Sequence, residues 1–313
     1  MVDIARSDQP TAPTVPPRRG ARHSAPVAAS GRGGKDAAWG ALSHIFLVIW
    51  GLMVTVPLLW AFLQSFKSDL EILRSPLGWP AEWRLDAFGR AWTKGNIGDY
   101  FVNTLIVLIP SVTLTMLLGA MAAYVLARYP FRGNRFIYYL FVAGLTMPIY
   151  LALVPLYKIV QNTLGLNQYH SLILVYVAYS LPFTVFFMHG FFRTLPTAVA
   201  EAALVDGASH TRLFFRVMLP MAKPGLISVG IFNVIGQWNQ FILPSLLMRP
   251  QSSFDPDRSV LTQGLLALTN NQRYESDWAA LFAGMTLATL PILAVYLAFH
   301  RQVQAGLTGA TLK

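Results

Sequence analysis

YHSLILVYVAYSLPFTVFFMHGFF, Tyr169 to Phe192, contains no Asp, Glu, Lys or Arg. A helix needs about 20 residues to cross a hydrocarbon core of about 30 Å, and this run supplies them without a formal charge. Five further segments share the property: roughly Ser43 to Phe66, Phe101 to Ala127, Phe136 to Tyr157, Pro224 to Met248 and Trp278 to His300. The 313 residues are 54% hydrophobic and only 12% charged, with a mean hydropathy of +0.47. Length alone would allow two soluble domains, but this composition is that of a membrane protein. The expected fold class is therefore all-α, a polytopic membrane protein with six transmembrane helices. Pro57, Pro110, Pro148, Pro155, Pro182, Pro244 and Pro291 fall inside the runs. Neighbouring helices in a bundle re-satisfy the carbonyls that proline frees, so these residues read as kinks.

Charge sets the orientation. With the N-terminus inside, the inner segments carry 15 basic residues against 5 acids, and the outer segments carry 9 against 9. Arg128, Arg132, Arg135, Arg193, Arg212, Arg216 and Lys223 are among the inner set. The formal net charge of +10 thus falls on one side, which places both termini in the cytoplasm of a multi-pass protein of the cell membrane. The basic balance reports topology and calls for no nucleic acid. Residues 1–41 are rich in Pro, Ala, Gly, Ser and Arg and read as a disordered cytoplasmic tail, not a signal peptide. Residues 42–313 read as one membrane domain. The chain has no Cys, which excludes disulfides and thiolate metal sites.

Directly after the Tyr169 to Phe192 run comes a charged amphipathic stretch, EAALVDGASHTRLFFRVMLP, Glu201 to Pro220, within a loop at about 194–223. Thr197 to Asp206 reads as a short Ala-rich helix. Gly207 can take φ > 0 and end it, and Ser209 can cap the helix that follows. Glu201 and Asp206 are five residues apart, roughly 140° around a helix, and do not face each other as an acid and base pair. A loop of this kind can lie on the bilayer surface or dock on a partner.

Other chemistry finds no support. GRGGKD, Gly31 to Asp36, has Ala29 and Asp36 where a phosphate-binding loop needs Gly and Ser or Thr. The six His residues lack HExxH spacing and no GxSxG occurs, so no catalytic, metal or cofactor site is expected and the chain reads as a non-enzyme. The spans hold no ionisable residue at depth, whereas an ion-driven sugar carrier keeps such residues despite a cost of about 2.5 to 3.5 kcal/mol each. A secondary carrier and a non-transporting scaffold remain the rival readings.

The most polar span is the fifth. Asn233, Gln237 and Gln240 stand at i, i+4 and i+7 on one expected helix face, with Trp238 and Asn239 adjacent. Amides in a membrane hydrogen-bond either a neighbouring helix or a polar solute. Tyr176, Tyr179 and Ser180 of the fourth span form a weaker set, read as packing.

The Glu201 to Pro220 stretch resembles the EAA loop of the membrane subunits of binding-protein-dependent ABC importers. Glu201, Ala202, Ala203, Asp206, Gly207, Leu219 and Pro220 stand at the family's positions, and Val217 stands where Ile is commoner. YVLARYPFRG (Tyr124 to Gly133), PLYKIVQNTLGL (Pro155 to Leu166), DWAALFAG (Asp277 to Gly284), ATLPI (Ala288 to Ile292) and the terminal GLTGATLK extend the resemblance from about Asn103 onward. WNQFILP, Trp238 to Pro244, is similar to the WN-x-F-x-x-P pattern of sugar-type permeases, which turns the reading of Asn233, Gln237, Trp238 and Gln240 toward a solute path. The family in view is that of maltose-type (MalG-like) permease subunits of carbohydrate ABC importers. The resemblance implies a type I ABC importer permease fold and half of a pore that moves a carbohydrate inward. It also implies a second, paralogous permease subunit, a cytoplasmic ABC ATPase dimer that the Glu201 loop couples to, and an extracytoplasmic solute-binding protein.

Overall fold

The computed structural model describes residues 34–271 and 276–309. The described residues are helical throughout, with no strand. The chain divides at Thr55 into two units, each considered on its own. In the first, α1 (Gly34–Gln64) begins and turns apolar side chains outward all round, Ile45, Leu47, Ile49 and Met53 among them, the surface a helix presents to lipid. The tail boundary expected at residue 41 thus falls inside α1. After Gly34 the sequence KDAAWGAL has no proline, and Ala and Leu favour helix. The rest of that tail, residues 1–33, lies outside the described residues, as do residues 310–313 of the GLTGATLK end.

The second unit starts at Val56 and holds the remaining elements. Two short helices follow α1: α2 (Asp69–Arg74), whose Ser68 cap accepts from Glu71 N, and α3 (Asp86–Thr93). The long α4 (Ile97–Arg128) and α7 (Tyr169–Thr194) pack along each other. Their approach depends on Gly119, where a Cβ would lie 2.5 Å from Thr184 Cγ2. Between them in sequence are α5 (Asn134–Thr146) and α6 (Ile149–Thr163). Then come α8 (Thr197–Val205), α9 (His210–Leu213), a π-helical segment (Phe214–Met218), α10 (Leu219–Met221) and α11 (Lys223–Trp238). The last elements are α12 (Ile242–Leu247), α13 (Leu261–Asn271) and α14 (Trp278–Gly309).

Among the described residues four helices, at Trp39–Gln64, Ile97–Arg128, Tyr169–Thr194 and Trp278–Gln302, are long and apolar enough to cross a membrane unbroken. The count reaches the expected six when each of two bent pairs is taken as one span. The expected third span is bent by 103° between Thr146 and Ile149. Proline forces its predecessor out of αR geometry, and here Met147 is extended and Pro148 restarts the helix as its cap. Pro57, Pro110, Pro155, Pro182 and Pro291 sit inside continuous helices. The second bend, of 77°, lies at Ala222, where the Glu201 loop passes into the fifth span. That span is helical only to Trp238, resuming as α12 at Ile242.

Three apolar clusters hold the unit together. One joins α3, α4, α13 and α14 around Ile97, Tyr100, Leu268 and Leu281. A second packs α4 and α7 on Leu213, Phe214 and Met218, beneath α8. The third joins α6, α7 and α12 through Val160, Leu172 and Leu247.

Candidate functional site

Two groups of residues stand out, one at the end of the bundle that carries α8 and one inside it. The α8 end is built by local sequence. The helix closes on Gly207 at φ +80: Ala208 N donates to Ala203 O at 3.0 Å and Gly207 N to Leu204 O at 3.0 Å. This is the Schellman pairing, which satisfies carbonyls the helix end would otherwise leave bare. Ser209 then caps α9, its Oγ accepting from Arg212 N at 3.3 Å. A side chain at Gly207 would meet nothing within 4 Å, so backbone conformation alone demands glycine there.

The loop has two faces. Ala200, Ala203, Val217 and Leu219 pack on the cluster of Leu213, Phe214 and Met218. Glu201, Ala202, Leu204, Val205, Asp206, Gly207 and Pro220 are exposed, Val205 at 88%. A carboxylate pair and an apolar tip are thus presented outward on a short helix whose other face is fixed.

What fixes it includes residues the site reading of the sequence did not assign. Arg128, the last residue of α4, donates through Nη2 to Leu195 O just ahead of α8. Tyr129 OH lies 2.9 Å from His210 Nδ1. Tyr124 packs its ring against Phe192, Phe214 and Tyr129 at 5.0 to 5.7 Å between centroids. Tyr124, Arg128, Tyr129, His210 and Phe214 belong to the YVLARYPFRG and Glu201 to Pro220 segments, so the signal was the motif, but its job as the seat of the loop, with Phe192 and Leu195, is a three-dimensional fact.

Inside the bundle, the amides of the fifth span separate. Asn233 is 4% exposed, and its Nδ2 donates to Thr184 Oγ1 on α7 at 2.9 Å and to Val229 O at 3.1 Å. Gln237 is 5% exposed; its Nε2 donates to Ser180 Oγ on α7 at 3.1 Å, and its Oε1 accepts from Ser111 Oγ on α4 at 2.5 Å. Both amides therefore bind neighbouring helices. Trp238 turns away from them, donating from Nε1 to Ala288 O on α14 at 3.2 Å and meeting Phe101 edge to face. Gln240, past the helix end, is half-buried, and among the described residues its side-chain amide has no hydrogen-bond partner. The expected i, i+7 helical stacking is absent at Gln240 because α11 has already ended. Gln240 still lines one cavity of about 320 Å³ with Asn233, Gln237, Tyr176, Tyr179 and Ser180. The weaker set of the fourth span thus shares a space with the amides.

Residues 115–309 match the family model of the binding-protein-dependent transport system inner membrane component. The chain belongs to that family. The permease is 49% identical over 278 residues to a diacetylchitobiose uptake system permease protein, NgcG, of Streptomyces coelicolor, covering 89% of this chain and 90% of the relative. It is 29% identical to the multiple sugar-binding transport system permease protein MsmG of Streptococcus mutans, over 86% and 96% of the two chains. In fold, the permease matches a chain of a bacterial ABC transporter that imports the acidic polysaccharide alginate, with a TM-score of 0.72 at 19% identity, over 85% of this chain and 97% of that one. The permease is a membrane-spanning subunit of an ABC importer, and its DWAALFAG motif is tied to α3: Asp277 receives Arg90 in a two-point pair, Nε to Oδ2 at 2.8 Å and Nη2 to Oδ1 at 3.0 Å.

Proposed function

We propose that this permease forms one half of a pore importing a carbohydrate, with both termini and α8 in the cytoplasm, and that it is not itself an enzyme. A paralogous permease supplies the other half, an ATPase dimer takes α8, and a solute-binding protein delivers the sugar from outside. The observation that carries the reading is the two-faced α8: seated on α9 and the π-helical segment by one face, and offering Glu201, Val205 and Asp206 outward by the other. Such a lever passes movement of a docked partner to the spans. Glu201, Ala202, Ala203, Asp206, Gly207, Leu219 and Pro220 are assigned to that coupling. Within the bundle, Gln240 is assigned to the solute path. Asn233 and Gln237 are assigned to its wall, where their hydrogen bonds hold three helices, and Trp238 to packing behind it.

The relatives support a sugar cargo, and the diacetylchitobiose system of the 49% identical relative makes that disaccharide the first solute to test. Copurification from a tagged chain tests the assembly: an ATPase and a second permease should come with it, and their absence would leave a scaffold. Uptake that persists when ATP is maintained and the proton gradient is collapsed separates this importer from a secondary carrier. Single Cys residues report orientation: position 257 should react with an impermeant maleimide in intact cells and position 207 only after permeabilisation, and the reverse pattern overturns the topology.

A further inference from the structure

The end of α4, the first turn of α5 and the end of α7 line an open cavity of about 710 Å³. Its wall carries Arg128, Arg135, Arg193 and His189, with Tyr138 and Tyr139, and no carboxylate. Among the described residues the ion pairs lie elsewhere, at Arg84 with Asp86 and at Arg90 with Asp86 and Asp277. Three guanidinium groups lining one space without a counter-charge attract an anion, and their planar forks suit phosphate oxygens. Arg128 Nη2 is committed to Leu195 O, yet its Nε is buried without a partner. The first turn of α5 adds to the field: Gly133 leads into it at φ +91 and no side chain caps it, and although Asn134 N donates to Phe131 O at 3.2 Å, the Arg135 and Phe136 N–H groups have no intrahelical partner. A free phosphate would fill little of such a space, which is of the size that holds a larger molecule. From this cavity α5 runs on with Phe136 at 72% and Leu140 at 62% exposure, one turn apart on the same side. The surface is basic at the helix end and apolar along the span.

We propose that this cavity seats the headgroup of an anionic membrane phospholipid, with Arg135 and Arg193 on its phosphate and acyl chains along Phe136 and Leu140. The site is separate from the solute path. Because Arg128 is shared between the cavity wall and the Leu195 carbonyl, an occupied site also steadies the entry to α8.

Native mass spectrometry of the full-length chain, purified in detergent with whatever subunits accompany it, tests this. Palmitoyl-oleoyl phosphatidylglycerol, palmitoyl-oleoyl phosphatidylcholine and inorganic phosphate are added in separate arms. Phosphatidylglycerol should bind at one saturable site, with affinity falling about fivefold for each arginine removed in Arg135→Gln and Arg193→Gln. Phosphatidylcholine binding should not respond to either change, and millimolar phosphate should not displace the lipid. Phosphatidylglycerol bound equally by wild type and both variants overturns the proposal. Displacement by phosphate makes the cavity a free-anion site and overturns the lipid assignment. Loss of ATPase copurification with lipid binding unchanged makes the arginines a protein-docking surface, which also overturns it. Should Arg193→Gln fail to fold, Arg135→Gln alone, at an exposed residue, decides the same question against Arg132→Gln, which lies outside the cavity wall.

Discussion

Tyr129 and His210 are joined by a hydrogen bond of 2.9 Å that ties the residue following α4 to the first residue after the Ser209 cap. Eighty residues of chain separate the two, yet they meet at the foot of the Glu201 to Pro220 loop. Their rings also pack edge to face at 5.6 Å. The bond therefore spans the joint between a membrane helix and the segment that a partner would push.

Tyr129→Phe keeps the ring and removes the bond, a loss of about 0.5 to 1.5 kcal/mol. The permease should assemble normally while the initial uptake rate falls by a few fold. His210→Ala added to Tyr129→Phe should cost less than it does alone, because the two share one interaction. A double-mutant cycle on uptake checks this, and strict additivity would remove the joint from the mechanism.

Gly207 stands at φ +80 with open space around it. Gly207→Asn should be tolerated, since Asn visits the left-handed region, whereas Gly207→Val should cost more than the roughly 1 to 2 kcal/mol an ordinary side chain pays there. In the Val variant the permease should reach the membrane but lose ATPase copurification and sugar-stimulated ATP hydrolysis. Glu201→Ala should act more mildly, because its carboxylate is exposed on α8. Wild-type copurification for Gly207→Val would leave α8 as a helix lying on the bilayer.

Gln237 and Gln240 should behave differently although both are amides in one cavity. Gln237→Leu removes the partner of the buried Ser180 hydroxyl and leaves Ser111 only its bond to Leu108 O, and should destabilise the bundle by about 1 to 3 kcal/mol, seen as a lower melting temperature or lost assembly. Gln240→Leu should leave melting unchanged and impair uptake, because a sugar leaving water needs replacement hydrogen bonds. Uptake at the wild-type rate in Gln240→Leu would move the solute path elsewhere.

The Arg90 guanidinium beside Asp277 holds its carboxyl below its ordinary value of 3.8, with desolvation opposing and the Ala280 N–H assisting. A carboxyl whose pKa is lower in the folded state stabilises it fully above the unfolded value, and the contribution disappears as pH falls through the folded one. Melting temperature should therefore be flat in this respect from neutral pH to about 5 and drop in more acid solution. Asp277→Asn should lower it at neutral pH and flatten that acid limb. An unchanged limb in the variant would show that other carboxylates carry it.

The six apolar runs, the Ala-rich α8, its glycine end and its serine cap were legible because each rests on local chemistry within a few residues. The bend at Pro148 was half legible: a proline marks the place, but whether a helix continues through it, as at Pro110, or restarts depends on neighbours that re-satisfy the backbone. Helical spacing put Asn233, Gln237 and Gln240 on one face, with Trp238 added by the WN-x-F-x-x-P resemblance, yet neither could show which of them would find serine or threonine partners on other helices. Ser111 is unremarkable in the sequence, Ser180 reads there only as packing, and the pairing of Arg128 with Leu195 depends on how α4 and α7 end side by side.

The π-helical segment from Phe214 to Met218 sets a phase. Phe214, Met218 and Ala222 are buried at intervals of four, and in an α-helix each such interval overshoots a full turn by about 40°. The wider turn absorbs the drift, so all three keep pointing beneath α8 up to the bend into α11. Removing one residue from this segment would swing everything beyond it by about a quarter turn. The insertion works as a gear tooth: it fixes the angle at which α11 leaves the Glu201 to Pro220 loop, and with it the direction in which Asn233 and Gln237 face.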